Sequence, residues 1–139
     1  MNFEYQGDYP HGIMFHRFHG NNVPALQGSI DSNQLENLII KVGIERILSP
    51  IQWLEKIKNN TLKDHHVCLT FDDCLKSQVL IADPILKKYN LTAFYFIHSL
   101  TFFGEIDFNE VFSNIISSKY QSIDVFMNDL LSYIDMDED

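Results

Sequence analysis

Short apolar runs alternate with amphipathic stretches along most of this chain. Four runs have the length and composition of buried strands, namely residues 12–16, 44–48, 67–71 and 92–97. Between them, apolar residues recur at the three- to four-residue spacing of a helix that buries one face. Because buried strands that alternate with helices are typical of parallel sheets, the pattern predicts an α/β fold with about four parallel strands.

Capping signals mark where the first two helices begin. Asp31 is followed three residues later by Gln34, and Ser49 is followed in the same way by Gln52. This spacing is that of a capping box, in which the two residues satisfy each other's backbone N–H groups. Pro50 also fits the first position of a helix. The sequence therefore predicts helices that begin after Asp31 and after Ser49.

The later helices are less regular. A third helix is predicted within residues 77–89, and Asn90 suits its C-terminal cap. Pro84 lies inside that stretch, so the helix is expected to start late or to be kinked there. Asp107 has the spacing of a third capping box, and Ser122 caps a last helix. No strand follows these two final helices.

Charge and composition exclude several classes of partner. The 139 residues carry 19 acidic and 10 basic side chains, a formal net charge of −9. No basic stripe is visible, so we expect neither a nucleic-acid partner nor an anionic membrane. The acidic end, residues 135–139, is expected to be a solvated tail. The first six residues lack the features of a signal peptide, which predicts a cytoplasmic location.

The two cysteines do not form a disulfide framework. Cys68 and Cys74 lie at opposite ends of one predicted strand, too far apart to bridge each other. Cys74 is expected to be a small buried residue rather than a reactive thiol.

The main candidates for functional residues are Asp72 and Asp73, which lie where the third predicted strand ends. An apolar run, Leu69-Thr70-Phe71, leads directly into these two adjacent carboxylates. Two acids at close range do not both ionise without a compensating charge, and a divalent metal supplies one. One carboxylate then binds the metal, and the other acts as a base toward water. The alternative is a turn or a helix cap, which is common for an Asp-Asp pair.

Three segments resemble the polysaccharide deacetylases, the NodB-homology family of carbohydrate esterases. Thr70-Phe71-Asp72-Asp73 resembles the first motif of that family, and residues 83–96 resemble its next helix and strand. Residues 13–17, Ile-Met-Phe-His-Arg, resemble the first strand of one branch. The resemblance covers about residues 11–104 and leaves residues 105–139 as a helical extension.

The resemblance implies a fold, a reaction and residue roles. The fold would be a partial (β/α) barrel, the N-terminal half of a NodB-like deacetylase barrel. The reaction would be metal-dependent hydrolysis of an acetyl amide or ester on a carbohydrate. Asp72 would be the catalytic general base, and Asp73 would bind the divalent metal, most often zinc. His16 would lie on the rim of the active site and contact the substrate.

The sequence departs from the family pattern in two respects. Cys74 stands where the family commonly has Gly, which matters if the backbone there has a positive φ. The later histidine pair and the remaining motifs are absent. We therefore expect residues 1–139 to be a single truncated domain whose partner is a missing C-terminal half or a second subunit.

Two other functions remain open. The chain could be a degenerate, non-catalytic deacetylase fragment that binds a sugar or a partner protein. Alternatively, two Asp at a strand tip could hold magnesium for phosphoryl transfer. That reaction would need a Gly-rich phosphate loop, and the sequence has none.

The remaining polar and aromatic candidates have simpler interpretations. His19 is expected in an exposed loop, and His65 and His66 in a surface loop before the third strand. The Phe-rich stretches, residues 94–103 and 108–126, are expected to belong to the core, or to be exposed where missing strands would pack.

Overall fold

The structure, a computed structural model, describes residues 9–26 and 28–134. These residues divide into two compact units, one ending at His98 and the other beginning at Ser99. The acidic tail and the first residues of the chain, to which the expectations of a solvated end and of no signal peptide apply, lie outside the described residues.

The first unit alternates strands and helices, as the apolar pattern predicts. Its elements in chain order are β1 (His11–Phe15), α1 (Ser32–Val42), β2 (Ile47–Leu48), α2 (Pro50–Lys58), β3 (Val67–Asp72), α3 (Asp83–Lys88) and β4 (Phe94–Phe96). A 3₁₀ turn, Ile44–Arg46, precedes β2, and a π-helical turn, Gln78–Ala82, precedes α3.

The sheet is organised around β3, and each of its three pairings is parallel. β1 pairs with β3 from His11↔Val67 to Phe15↔Phe71. β1 therefore occupies one edge of β3, and β2 and β4 share the other edge. On that edge β2 pairs with the start of β3, and β4 pairs with its end. The prediction of a partial β/α fold with about four parallel strands is confirmed.

The core lies between the sheet and α1. Phe15, Phe18 and Phe71 form an aromatic cluster whose ring centroids are 5.6–5.9 Å apart. Leu35 and Ile39 of α1 are completely buried against the same cluster of apolar residues. The side chains immediately before the paired carboxylates are therefore anchored by burial.

The capping predictions for α1 and α2 are confirmed. Asp31 with Gln34, and Ser49 with Gln52, form complete reciprocal capping boxes. Pro84 lies at the start of α3, directly after the π turn. A proline has no N–H to donate, and its ring displaces the carbonyl one turn earlier, so the wider turn accommodates it.

The predicted strand at residues 44–48 is wrong in its first half. Ile44–Arg46 forms the 3₁₀ turn, and only Ile47–Leu48 pair with β3. The reason is local, because Gly43 has a φ of 94° and its carbonyl accepts a hydrogen bond from the backbone N–H of Arg46 at 3.0 Å. These contacts curl the chain before it can extend.

The second unit contains two helices, α4 (Phe108–Lys119) and α5 (Ile123–Ile134), after a 3₁₀ turn at Ser99–Phe103. The Asp107 carboxylate caps α4 by accepting hydrogen bonds from two backbone N–H groups, and Ser122 accepts one from Val125. Tyr120 donates a hydrogen bond to Asp129 at 2.7 Å, and this bond raises the pKa of the Tyr120 phenol.

The expectation that the Phe-rich stretches form core is wrong for most of their aromatic residues. Phe102, Phe103 and Phe108 are 75%, 80% and 66% exposed. Two helices and one short turn supply too few elements to enclose so many large side chains. The other expectation, exposure where further strands would pack, agrees with this arrangement. None of the helices in the described residues is long and apolar enough to cross a membrane.

Candidate active site

Two neighbouring parallel strands, β1 and β3, end in polar residues at the same end of the sheet. β1 ends at Phe15 and β3 pairs with it through Phe71, so His16 and Asp72 follow at the same level. Both residues are half-buried. In parallel α/β folds, ligands bind at the carboxyl ends of the strands, and His16 and Asp72 lie at these ends.

His16 and Asp73 are in direct contact. The Nε2 atom of His16 lies 2.6 Å from Oδ2 of Asp73, and the two side chains are 37% and 29% exposed. Asp72 is the last residue of β3 and directly precedes Asp73, so a second acidic residue lies on the strand next to this contact. The sequence placed His16 at the rim of this site, but its pairing with Asp73 was not predicted.

The turn after β3 is built from two residues in the left-handed backbone region. Asp73 has a φ of 66° and Cys74 a φ of 52°. Glycine would adopt the positive φ of Cys74 without strain, whereas a residue with a β-carbon does not. The expectation that Cys74 is buried is wrong, because the turn carries its thiol beyond the sheet and leaves it exposed. Both cysteines are free, as predicted.

Cys74→Gly is expected to stabilise the chain by about 1 kcal/mol, because glycine adopts the left-handed conformation without the cost of a β-carbon. Urea unfolding followed by circular dichroism measures the change. Cys74→Ser is the control, since serine keeps the β-carbon and should bring no comparable gain. Equal stability of the Gly and Ser variants would contradict the strain.

Gln78, which lies beneath this turn, was not predicted as a residue of the site. It is fully buried, and its side-chain Nε2 donates hydrogen bonds to the backbone carbonyls of His16 at 2.8 Å and Asp72 at 2.6 Å. Its Oε1 atom accepts a hydrogen bond from the backbone N–H of Leu75 at 3.1 Å. No signal in the sequence indicates this role, because Gln78 follows the polar residues Lys76 and Ser77, as in a solvent-facing start of a helix.

β4 contributes aromatic surface beside the site. Tyr95 packs edge-on against Phe71, with ring centroids 5.1 Å apart. Burial raises the pKa of the Tyr95 phenol, and the nearby side chains of Asp83 and Cys74 raise it further. Tyr95 therefore stays a neutral phenol at the pH of ordinary hydrolytic reactions.

The other histidines lie apart from the paired carboxylates. The Nδ1 atom of His19 forms a hydrogen bond with Ser29 Oγ at 2.9 Å, and this bond holds the His19 side chain within its own loop. His65 and His66 precede β3, at the end of the strand opposite Asp72. The prediction that His66 is a surface-loop residue is wrong, because it is only 7% exposed and its Nδ1 accepts a hydrogen bond from the Lys63 backbone N–H.

Burial lowers the pKa of His66, and the nearby positive groups His65, Lys56 and Lys63 lower it further. The unfolded chain therefore binds a proton more readily at this residue, and stability falls as the pH drops below about 6.5. We expect His66→Gln to reduce this loss of stability on acidification, measured as the change in thermal midpoint between mildly alkaline and mildly acidic buffer. If His65→Gln removes the loss of stability at acidic pH and His66→Gln does not, the assignment to His66 is wrong.

A cavity of about 750 Å³ lies elsewhere, between β1 and α1. It is lined mainly by the first residues of β1, including Gly12 and Met14, and by α1 residues such as Leu38. His16, Asp72 and Asp73 are not among its lining residues, so the polar site at the strand tips is separate from it.

The donor set of the site suits a divalent metal ion. An imidazole nitrogen and a carboxylate oxygen, as in His16 and Asp73, are both ordinary zinc ligands. Catalytic zinc sites typically use three protein ligands, and this pair supplies two. The residues therefore fit a metal in chemical type, with further positions around the ion left for other ligands.

The comparisons with known proteins bear on the fold and on the reaction class. No protein-family model matches the chain, and no match was found among curated proteins. Among solved structures, the chain is similar to the Streptococcus pyogenes deacetylase PplD in complex with acetate, with 30% sequence identity and a TM-score of 0.50. The match covers 70% of this chain and 46% of that one, so the chain spans less than half the length of its structural neighbour. The described fold is thus a partial β/α fold similar to that of a deacetylase.

Proposed function

We propose that this chain carries part of a metal-dependent carbohydrate deacetylase, and that the tips of β1 and β3 form its reaction site. The observation that carries the proposal is the contact of His16 Nε2 with Asp73 Oδ2, beside Asp72, on a deacetylase-like fold. The neighbouring deacetylase structure is a complex with acetate, and acetate is the product expected of such a reaction.

The proposed roles follow from position. Asp73 is the metal ligand, and His16 lies within bonding distance of the same carboxylate, which favours a place beside the ion. The expectation that His16 contacts the substrate stays a prediction. Asp72 is the general base, because it is the neighbouring carboxylate and its backbone is held by the buried Gln78.

The reaction adds water across the acetyl C–N or C–O bond and releases acetate with the free amine or hydroxyl. A bound divalent ion would polarise the acetyl carbonyl and make water a better nucleophile near neutral pH. Asp72 accepts a proton from the attacking water and returns it to the leaving group. Proton transfer of this kind typically contributes about 10²–10⁴-fold to the rate.

Zinc is the expected metal and an acetylated amino-sugar oligomer the expected class of substrate. The test is acetate release from N-acetylated chito-oligosaccharide by the 139-residue chain, first treated with a chelator and then supplied with zinc. We expect release that is lost on chelation and restored by zinc. Release that is insensitive to chelation would contradict a metal-dependent mechanism.

A second function follows from the motifs that the sequence lacks. The later histidine pair of the family that the sequence resembles is absent from these 139 residues, and this favours a non-catalytic module that binds a sugar or a partner protein. Saturable binding of the same oligosaccharide, together with no acetate release at any zinc concentration, would support this alternative over the hydrolase.

A further inference from the structure

The tips of β1 and β3 are joined by a side chain rather than by the sheet itself. The register of the two strands runs to Phe15↔Phe71. One residue further, the carbonyls of His16 and Asp72 both accept hydrogen bonds from the single Nε2 group of Gln78. Gln78 therefore continues the connection between the strands at the level where the polar residues begin.

The hydrogen bonds of Gln78 compensate for the cost of burying its polar side chain. Burying a carboxamide without partners is costly, yet the Gln78 side chain is completely enclosed. Both of its N–H groups and its carbonyl oxygen have partners in His16, Asp72 and Leu75. Glutamate of the same size has no N–H to give the two carbonyls, and methionine has no polar group at all.

Gln78 also fixes the turn that presents Asp73. Its side-chain oxygen accepts from the Leu75 N–H, while its own backbone N–H donates to the Leu75 carbonyl at 3.0 Å. This reciprocal pair closes residues 75–78, and the bond from Gln78 Nε2 to the Asp72 carbonyl closes the longer segment from the end of β3 to the π turn. Asp73 and Cys74 have left-handed backbones within that closed segment, so its closure holds a conformation that non-glycine residues rarely adopt.

We propose that Gln78 is a positioning residue that sets His16 against Asp73. It acts on one side through the His16 carbonyl and on the other through the Asp72 carbonyl and the Leu75 turn. The imidazole and the carboxylate that meet at 2.6 Å are thereby held by one buried carboxamide 62 residues away from His16 in sequence. The role of this positioning in a reaction rests on the proposed deacetylase function, whereas the positioning itself does not.

The test compares Gln78→Met and Gln78→Glu with Gln52→Met in the full 139-residue chain. Gln52 is an exposed glutamine whose side chain also bonds a backbone N–H, at Ser49, far along the chain from the strand tips. Two readouts are used: the NMR shifts of the His16 imidazole and Asp73 carboxyl carbons without metal, and the zinc affinity by calorimetry. The thermal midpoint shows that each variant is folded.

We expect Gln78→Met to move the His16 and Asp73 resonances and to weaken zinc binding by about 10–100-fold, the range typical of residues that orient metal ligands. Gln52→Met should leave both readouts at wild-type values. Gln78→Glu keeps the shape and the Leu75 contact but lacks the two donors, so it should resemble the Met variant. If the Glu variant does not fold, the Met variant decides.

Wild-type resonances of His16 and Asp73 in folded Gln78→Met would overturn the proposal. So would an equal disturbance in Gln52→Met. A wild-type chain that binds no zinc would instead contradict the proposed function, and the NMR comparison would still decide the role of Gln78. Displaced resonances with unchanged zinc affinity would overturn the link between this positioning and the metal site.

Discussion

Asp72→Asn is expected to lower kcat for acetate release by about 10²–10⁴-fold, the usual contribution of a general base. The amide has the same shape as the carboxylate but does not take up a proton at neutral pH. The Asp72 backbone carbonyl, which accepts the bond from Gln78, is unchanged by the substitution. Zinc affinity should therefore stay near the wild-type value while turnover is lost.

The control for this variant is Asp64→Asn, which changes an exposed carboxylate in the loop before β3. It removes the same charge from the chain without touching the strand tips. Acetate release by Asp72→Asn at the rate of Asp64→Asn would remove Asp72 from the reaction. A simultaneous loss of zinc binding in Asp72→Asn would make it a ligand rather than a base.

Asp73→Asn is expected to weaken zinc binding by on the order of 100-fold or more. Loss of a residue that merely orients a ligand already costs about 10–100-fold, and Asp73 is proposed to be a ligand itself. Asparagine tolerates the left-handed backbone of this position better than most residues do, so the turn should keep its shape. Calorimetric titration of the chain with zinc measures the effect.

A loss of zinc affinity in Asp73→Asn identifies Asp73 as a ligand only under two conditions. The variant must stay folded, and the loss must not be a general effect of removing one negative charge. Asp64→Asn again serves as the matched variant, and its zinc affinity should equal that of the wild type. Wild-type affinity in Asp73→Asn would place the ion elsewhere, and the pair formed with His16 would then be an ordinary surface contact.

Much of the first unit was predictable because its signals are local. The capping boxes at Asp31 and Ser49 depend only on residues three positions apart, and both form as expected. β3 is apolar on both faces, which identifies it as a strand enclosed within the sheet. The position of the carboxylates at its end followed directly from that pattern.

The contacts that assemble the site were not predictable, because they depend on the register between distant strands. His16 meets Asp73 only because β1 pairs with β3 with Phe15 opposite Phe71. Nothing in the residues around Gln78 indicates that its side chain reaches back to the end of β1.

Exposure of the aromatic residues was also decided by what packs around them rather than by their type. Phe71 and Phe102 are equally apolar, yet Phe71 is fully buried in β3 whereas Phe102 is 75% exposed in a unit of two helices and a turn. Composition predicts how much apolar surface a chain has to bury, but the number of surrounding elements decides how much of it is buried.

The most direct test of the proposed metal site is an anomalous diffraction map from crystals of the chain grown with zinc. We predict a peak about 2.0–2.2 Å from both a carboxylate oxygen of Asp73 and Nε2 of His16, with Asp72 beside it. A zinc peak only at other residues, such as His65, or no peak at millimolar zinc, would contradict the proposed site.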